Sequence, residues 1–541
     1  MKKLSLILVT LVALLMSLNV MAAKPNEAAP KGGNFVINLG GEPPTLHPIS
    51  STDLYATNVQ GYVCEGLLSR DIETYAWKPR LAEKWEIAKD GKTYTYTLRK
   101  DAVFHDGKPV TAEDVKFSFE AIFDPAYQAA HAQPYYEGIA KVEAVDTHTV
   151  KVTAKDSYFK NFEVISTMTV IPKHVYGDVE KSKKMNRTLN CSGPYTLQKF
   201  DRGQMIQLKK FDKWWGNNSA DYKGMFNFEM ITMRFYKDEN VALERAKKGE
   251  LDQLDLRIEA FMKKTTGEPW GKTLLKHKVE NKSPKSYGFI GWNLRKDLFQ
   301  SKDVRYALSH LMNREEMNKK FRYGLSDLAT SPIYVQSEYS PKLKPLGYDP
   351  KKAQSLLAKA GWSDSDKNGI LDRTVAGKKQ EFRFTLIFPN KDTEKYWTMY
   401  KEDLRKAGID MEIKYLEWNS FLKFLDEGNF DAVTLAWGGG SVDPDPKQIW
   451  HSSSAVAGGS NFINYKNPEV DKMIDEARQQ TDKKKRVALL QKVYAKIAED
   501  APYVFLFNDR FLFYANSSRI GKAADTFQFD VGTDYWWMKP Q

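Results

Sequence analysis

Only two cysteines and eight histidines occur among the 541 residues. The histidines are scattered, with no H-x-H or H-x-x-x-H pair to supply a metal-ligating spacing. His105 and His451 read as hydrogen-bonded structural groups. H-E-x-x-H, G-x-S-x-G and P-loop strings are absent. Their absence removes the zinc-peptidase, nucleophile-elbow hydrolase and P-loop classes. No acidic pair is set apart for glycosidase chemistry. No stretch interleaves arginine with aromatics, and the formal charge of +12 is spread as lysine over many segments. That distribution reads as a solvated surface and argues against a nucleic-acid partner. Internal repeats, low-complexity linkers and a second long apolar run are also missing.

The single long apolar run lies at the start. Met1-Lys2-Lys3 precedes Leu4 to Val20, and Met21-Ala22-Ala23 follows. A basic end, a short apolar core and a small-residue exit make a secretory signal peptide, cut after Ala22 or Ala23. The competing reading is a membrane anchor. The run is near the lower length limit for a span, and the Ala-Ala exit favours cleavage. The signal region holds no cysteine to carry a lipid, so the expectation is a freely diffusing periplasmic protein. In that oxidising compartment Cys64 and Cys191 are expected to be bridged, the alternative being two free buried thiols. Such a bridge would close a loop worth about 4–5 kcal/mol in the chain-entropy model. The remaining length allows two or three domains, and the 42% hydrophobic content supports real cores.

Locally, Leu81 to Ile122 reads as strand, turn, strand and helix. Asp90-Gly91 offers positive φ for a tight turn. Tyr94, Tyr96 and Leu98 then alternate with Thr93, Thr95 and Thr97, a period of two. Thr111 precedes Asp114 by three, a helix-capping spacing. Further strand or helix signals fall at Asn34 to Leu39, Thr57 to Leu68, and the Val142/Ala144 and Val150/Val152 hairpin. From Phe382 strands and helices alternate: Phe382–Phe388, Thr393–Ala407, Ile409–Tyr415, Ser420–Glu427 and Asp431–Trp437. Gly408 and Gly428 stand where helices must stop in a left-handed turn. This βαβαβ order implies parallel strands. Asp364-Ser365-Asp366-Lys367-Asn368-Gly369 resembles the start of a Ca²⁺ loop. Val375 occupies the position that needs a bidentate Glu, so the segment reads as a polar turn.

The ordered set Trp85, Asp90-Gly91, Tyr94, Tyr96, Leu98, Phe104-His105-Asp106-Gly107, Pro109, Thr111-Ala112, Asp114-Val115 and Phe117 resembles the signature of the bacterial extracellular solute-binding proteins, family 5. The likeness runs from about Gly32 to about Gly521. Asn190-Cys191-Ser192-Gly193-Pro194-Tyr195 resembles the family's G-[TS]-G-P-Y turn, with Cys191 at the first glycine. DVRYALSHLMNRE, from Asp303 to Glu315, resembles its V-R-x-A-L…D/N-R-E motif. The family includes dipeptide- and oligopeptide-binding proteins of ATP-driven importers. The resemblance implies an α/β, periplasmic binding protein-like two-lobe fold (class II, cluster C type) with an additional domain on the first lobe. Residues 24–71, 186–285 and 507–541 would form lobe I, 72–185 the additional domain and 286–506 lobe II, after a signal peptide at 1–23. It implies a monomer that binds a peptide ligand, delivers it to an ABC transporter permease, needs no cofactor and catalyses no reaction.

The ligand site implied is the loop after the last parallel strand, Trp437-Gly438-Gly439-Gly440, where α/β sheets bind ligands. In peptide-binding members an extended peptide lies between the lobes as an added strand. The matching main chain here would be Thr52, Asp53, Leu54 and Tyr55 on one lobe and Ala436 to Gly438 on the other. Several members carry an Asp three residues after the Trp, pairing with the peptide ammonium. Gly440 holds that position here. Asp443 or Asp445 would take the ammonium, or the D-P-D-P run only shapes the loop. A rival ligand is an oligosaccharide, suited by 13 Trp and 27 Tyr; nickel chelates and haem also occur in the family. The rival of another class is a secreted hydrolase.

Overall fold

The computed structural model describes residues 25–51, 53–129, 132–456 and 458–540. The expected signal peptide and Thr52 lie outside the described residues. Among them no helix is long and apolar enough to cross a membrane.

Two large sheets organise the chain. The first runs in the order Leu274–Val279, Leu512–Ser517, Gln253–Asp255, Asn34–Asn38, Met230–Arg234, Met205–Lys210, Tyr195–Asp201. The second runs Ser326–Leu328, Tyr503–Asp509, Tyr287–Trp292, Ala432–Trp437, Arg383–Phe388, Asp410–Tyr415. A four-stranded antiparallel sheet, Ala82–Ile87, Thr93–Leu98, Thr149–Ala154 and Ile139–Ala144, joins the first body. Its Tyr94, Tyr96 and Leu98 are buried in the same core as Phe35 and Ile231 of the first sheet. The fully buried clusters of the second sheet, around Trp292 and around Phe289, draw only on residues 287–507. Each body thus has its own hydrophobic core, which is what lets two bodies move as units.

Local chemistry explains most elements. Gly91 has φ +66°, and the Asp90 carboxylate accepts from Lys92 N at 2.8 Å and Thr93 N at 3.0 Å, closing the predicted turn. Thr111 N donates to Asp114 Oδ2 at 2.9 Å, so the start of the Ala112–Phe123 helix is boxed as its spacing predicts. Gly408 (φ +80°) and Gly428 (φ +64°) end the helices that separate the parallel strands. Arg383–Phe388 pairs in parallel with both Asp410–Tyr415 and Ala432–Trp437.

Two expectations need correction. The predicted Thr57–Leu68 helix spans Leu54–Val63. It starts early because the Asp53 carboxylate caps it, accepting from Ala56 N at 2.9 Å. The expected lobe boundary at 506/507 cuts through a strand. Tyr503–Asp509 belongs wholly to the second sheet, with Phe507 to Asp509 paired to Ser326–Leu328. The chain therefore crosses between the bodies at residues 280–286 and 510–511.

Cys64 and Cys191 are joined, with Cα atoms 4.9 Å apart across 127 residues of sequence. The bridge ties the C-terminus of the Leu54–Val63 helix to the Asn190–Tyr195 turn. Gly193 N donates to Val63 O at 2.9 Å, and a Cβ at Gly193 would lie 2.6 Å from that oxygen. His105 closes the same corner: its Nε2 lies 3.1 Å from Gly193 O, and burial pushes its imidazole down to about 4. Reduction, or Cys191→Ser, is expected to cost about 2–5 kcal/mol in urea unfolding. An unchanged midpoint would show the bridge to be dispensable.

Candidate functional site

The strand Ala432–Trp437 is central in the second sheet, yet its end is paired on one side only. Tyr287–Trp292 accompanies it along its whole length, from Ala432 opposite Trp292 to Trp437 opposite Tyr287. On the other side Arg383–Phe388 pairs only as far as Val433. Asn293 N donates to Asp431 O at 2.9 Å, which sets the alternation. Residues 431, 433, 435 and 437 exchange bonds with the Tyr287–Trp292 side. Ala436 and Gly438 consequently turn their N–H and C=O groups to the opposite, open edge. Both are exposed, and among the described residues no backbone group pairs with them there.

The three glycines have three different roles. A Cβ at Gly438 would meet nothing within 4 Å, so space lies beside it. A Cβ at Gly439 would fall 2.3 Å from Pro284 O, so this residue is pressed against the first crossing. Gly440 has φ +65°, a left-handed conformation that favours glycine. Trp437 is half-buried. Its ring stacks on Phe289 (6.1 Å between centroids) and Phe462 (5.8 Å), and its Nε1 reaches the Tyr503 hydroxyl at 3.3 Å. It is an aromatic wall braced from behind.

On the first body the predicted main-chain partners are differently disposed. Leu54 and Tyr55 form the first turn of a helix, and Asp53 is its cap, so these three cannot extend a β-ladder. What they offer instead is side chain: Leu54 is 71% exposed and Tyr55 37%. Asp443 accepts from the Tyr339 hydroxyl. Desolvation, then that carboxylate, raises the Tyr339 phenol far above its ordinary range. Asp445 accepts from Tyr158 Oη at 2.6 Å and pairs with Arg478 Nε at 3.1 Å.

Several groups at the cleft were not visible in sequence. Glu163 of the additional domain accepts from Ser441 Oγ at 3.1 Å, and Tyr135 Oη donates to Gln448 at 3.0 Å. Elsewhere between the two bodies Lys395 pairs with Glu259 at 2.7 Å, and Arg257 with Asp392. Trp418, 50% exposed, opens the helix that follows Asp410–Tyr415, at the same carboxyl end of the sheet as Trp437. Its position directly after a parallel strand was the available signal. Asp364, Asp366 and Asp372 do approach within 4.8 Å of one another. Lys379 pairs with both Asp366 and Asp372, and Asp364 accepts from Asn368 N and Gly369 N, as in a polar turn.

Lys285, at the first crossing, is buried beside Gly439. Its Nζ donates to Asn281 Oδ1 at 2.6 Å and Ser283 Oγ at 2.9 Å, both neutral acceptors. Burial pushes its ammonium down to about 8 from an ordinary 10.5. The folded state therefore holds fewer protons than the unfolded one between those values, and this group's contribution to stability rises with pH across that window. Wild type is expected to gain stability relative to Lys285→Met as the pH is raised from 8 towards 10, read by thermal midpoints. A constant difference would show that this ammonium is not displaced.

The family profile of the bacterial extracellular solute-binding proteins, family 5 (middle region) matches residues 76–459. The oligopeptide-binding protein AppA of Bacillus subtilis is 30% identical over 503 residues, covering 91% of this chain and 89% of that protein. Its structure in complex with a nonapeptide superposes with a TM-score of 0.79 at 28% identity, covering 95% of this chain and 100% of that one. NikZ of Campylobacter jejuni, solved with Ni(L-His), shares the fold at 22% identity and a TM-score of 0.77, over 93% of this chain and 99% of its own. The fold is the periplasmic binding protein-like two-lobe fold with an additional domain on the first lobe, and the chain belongs to the bacterial extracellular solute-binding proteins, family 5.

Proposed function

We propose that this protein is a periplasmic peptide receptor of an ATP-driven importer. The observation that carries the reading is the unpaired edge at Ala436 and Gly438, walled by Trp437 and opening between two separately cored bodies. A peptide laid along that edge supplies the missing backbone partners. Each such bond nets roughly 0.5–1.5 kcal/mol, so a handful with lobe closure supports micromolar binding. Leu54 and Tyr55 contribute side-chain contact from the first lobe. The similarity to a protein named for oligopeptide binding supports the same ligand class.

The lobe division follows the cores: 24–71, 186–285 and 510–541 for lobe I, 72–185 for the additional domain, 286–509 for lobe II. Closure about the two crossings is a population shift set by ligand contacts with both lobes. The closed form is then presented to an inner-membrane permease. The receptor acts as a monomer, loses residues 1–23 on export, carries no lipid and hydrolyses nothing. Cell fractionation, and peptide recovered uncut after incubation, check the last points.

The direct test is calorimetry with a mixed peptide pool. Wild type is expected to bind and to be stabilised, by about 2.7 kcal/mol at a hundredfold excess over Kd. A glycan pool or nickel–histidine is expected to do neither. Gly438→Val is expected to keep its melting temperature, because nothing lies within 4 Å of the added Cβ, and to weaken peptide binding at least tenfold. Stabilisation by glycans alone, or unimpaired binding by the valine variant, would refute the assignment.

A further inference from the structure

Lobe II holds an open cavity of about 270 Å³. It lies between the Lys302–His310 helix, the last turns of the Lys483–Asp500 helix, the start of the Tyr503–Asp509 strand and the extended segment at Leu343 to Leu346. None of the cleft residues Leu54, Tyr55 or Ala436 to Gly440 lines it. Much of its wall is apolar: Leu343 and Leu346 are exposed, and Ala495 and Ala498 stand on one face of their helix. Arg314, the first residue of the Arg314–Arg322 helix, lines the same cavity and is only 5% exposed. A buried charge is ordinarily paired with an opposite one. This guanidinium forms no ion pair among the described residues and donates only to main-chain carbonyls. Nη1 reaches Ala329 O at 2.8 Å and Phe505 O, and Nη2 reaches Leu346 O at 2.8 Å. Its Nε is buried with no partner, as is Thr330 Oγ1, also in the lining. Desolvation pushes the guanidinium down to about 10; Glu315, the next residue, is exposed and pulls the other way. Two more charged residues line the cavity. Glu499 is matched by Lys302 Nζ at 2.8 Å and Lys496 Nζ at 3.6 Å. Lys344 is exposed and forms no ion pair among the described residues.

We propose that this cavity is a second binding site, for a small carboxylate with a short apolar body, its acid group on Arg314 and its body against Leu343, Leu346, Ala495 and Ala498. Nε and Nη2 are adjacent in the guanidinium fork, and Nη2 keeps one hydrogen beyond its bond to Leu346 O. Adjacent nitrogens of the fork grip a carboxylate through two parallel bonds. The carbonyls of Ala329, Phe505 and Leu346 hold the fork in place before a ligand arrives. Tying those three segments together is a structural role that accounts for Nη1 and Nη2. It leaves Nε and the positive charge unmatched, and an incoming carboxylate supplies both needs. The volume is below that of drug-sized ligand pockets, which makes the occupant small. Burial of the apolar wall favours an organic acid over an inorganic anion.

The test uses the mature full-length protein with hexanoate as the probe and hexan-1-ol and acetate as controls. Each is titrated by calorimetry with and without a saturating peptide pool. Hexanoate is expected to bind at one equivalent, at least about tenfold more tightly than either control, with the same affinity in both settings. Equal binding of hexan-1-ol would show that Arg314 reads no charge, and equal binding of acetate that the apolar wall adds nothing. Displacement of hexanoate by peptide would put it in the cleft. Any of these results overturns the proposal, as does the absence of heat from hexanoate at millimolar concentration. Arg314→Met would also cut the bonds to three segments of lobe II, so two other variants carry the test. Ala498→Trp fills the cavity and leaves every Arg314 bond in place. It is expected to abolish hexanoate binding and to keep peptide affinity within about twofold. Lys344→Glu, at an exposed and unpaired position, is expected to weaken hexanoate about threefold with its thermal midpoint unchanged. Undiminished hexanoate binding in either variant would refute the site.

Discussion

A strand that outruns its neighbour is the constraint on which the rest depends. Ala432–Trp437 is held along one side by six residue pairs but on the other by two, both at its start. In a sheet interior, unpaired backbone groups must be satisfied by water or by another chain. The same sheet keeps this strand rigid through the Trp437–Phe289–Phe462 stack. A half-paired strand is a template, and under the proposed function it would pair with the backbone that all peptides share. Charge plays a smaller part in the pairs between the bodies at residues 257–259 and 392–395. The Arg257–Asp392 and Lys395–Glu259 pairs are substantially exposed and contribute little each.

The two lobes are separate because their buried clusters are separate. The additional domain, by contrast, shares its core with the first sheet through Tyr94, Tyr96 and Leu98. Its Tyr158-Phe159 corner reaches lobe II, where Tyr158 Oη donates to Asp445 and Phe159 N donates to Arg478 O at 3.1 Å. Polar groups of the two bodies meet at Tyr158–Asp445, Ser441–Glu163, Lys395–Glu259 and Arg257–Asp392.

Much of this was legible in the residues, and the failures have physical causes. Alternation at Thr93–Leu98, the Thr111/Asp114 box and the stops at Gly408 and Gly428 are local signals, and local signals survive folding. The Leu54–Val63 helix began three residues early because Asp53 outcompetes later starts as a cap. The second crossing was misplaced because YVFLF reads alike on either side of residue 506, whereas the pairing of Asn508 and Asp509 is a long-range fact. Three glycines after Trp437 looked equivalent, yet only their neighbours separate an open site at Gly438 from a close contact at Gly439. The Tyr158–Asp445 bond spans 287 residues, and no spacing rule reaches so far. Two adjacent aromatics in the polar stretch Lys155–Asn161 were its one trace.

Hydrogen exchange at individual amides tests the template most directly. Leu435 and Trp437 are already bonded to the neighbouring strand and are expected to exchange at similar rates with and without peptide. Ala436 and Gly438 are expected to slow by about a hundredfold under saturating peptide, because their N–H groups face the open edge. Peptide binding that leaves Ala436 and Gly438 exchanging at their free rates would contradict backbone pairing at this strand.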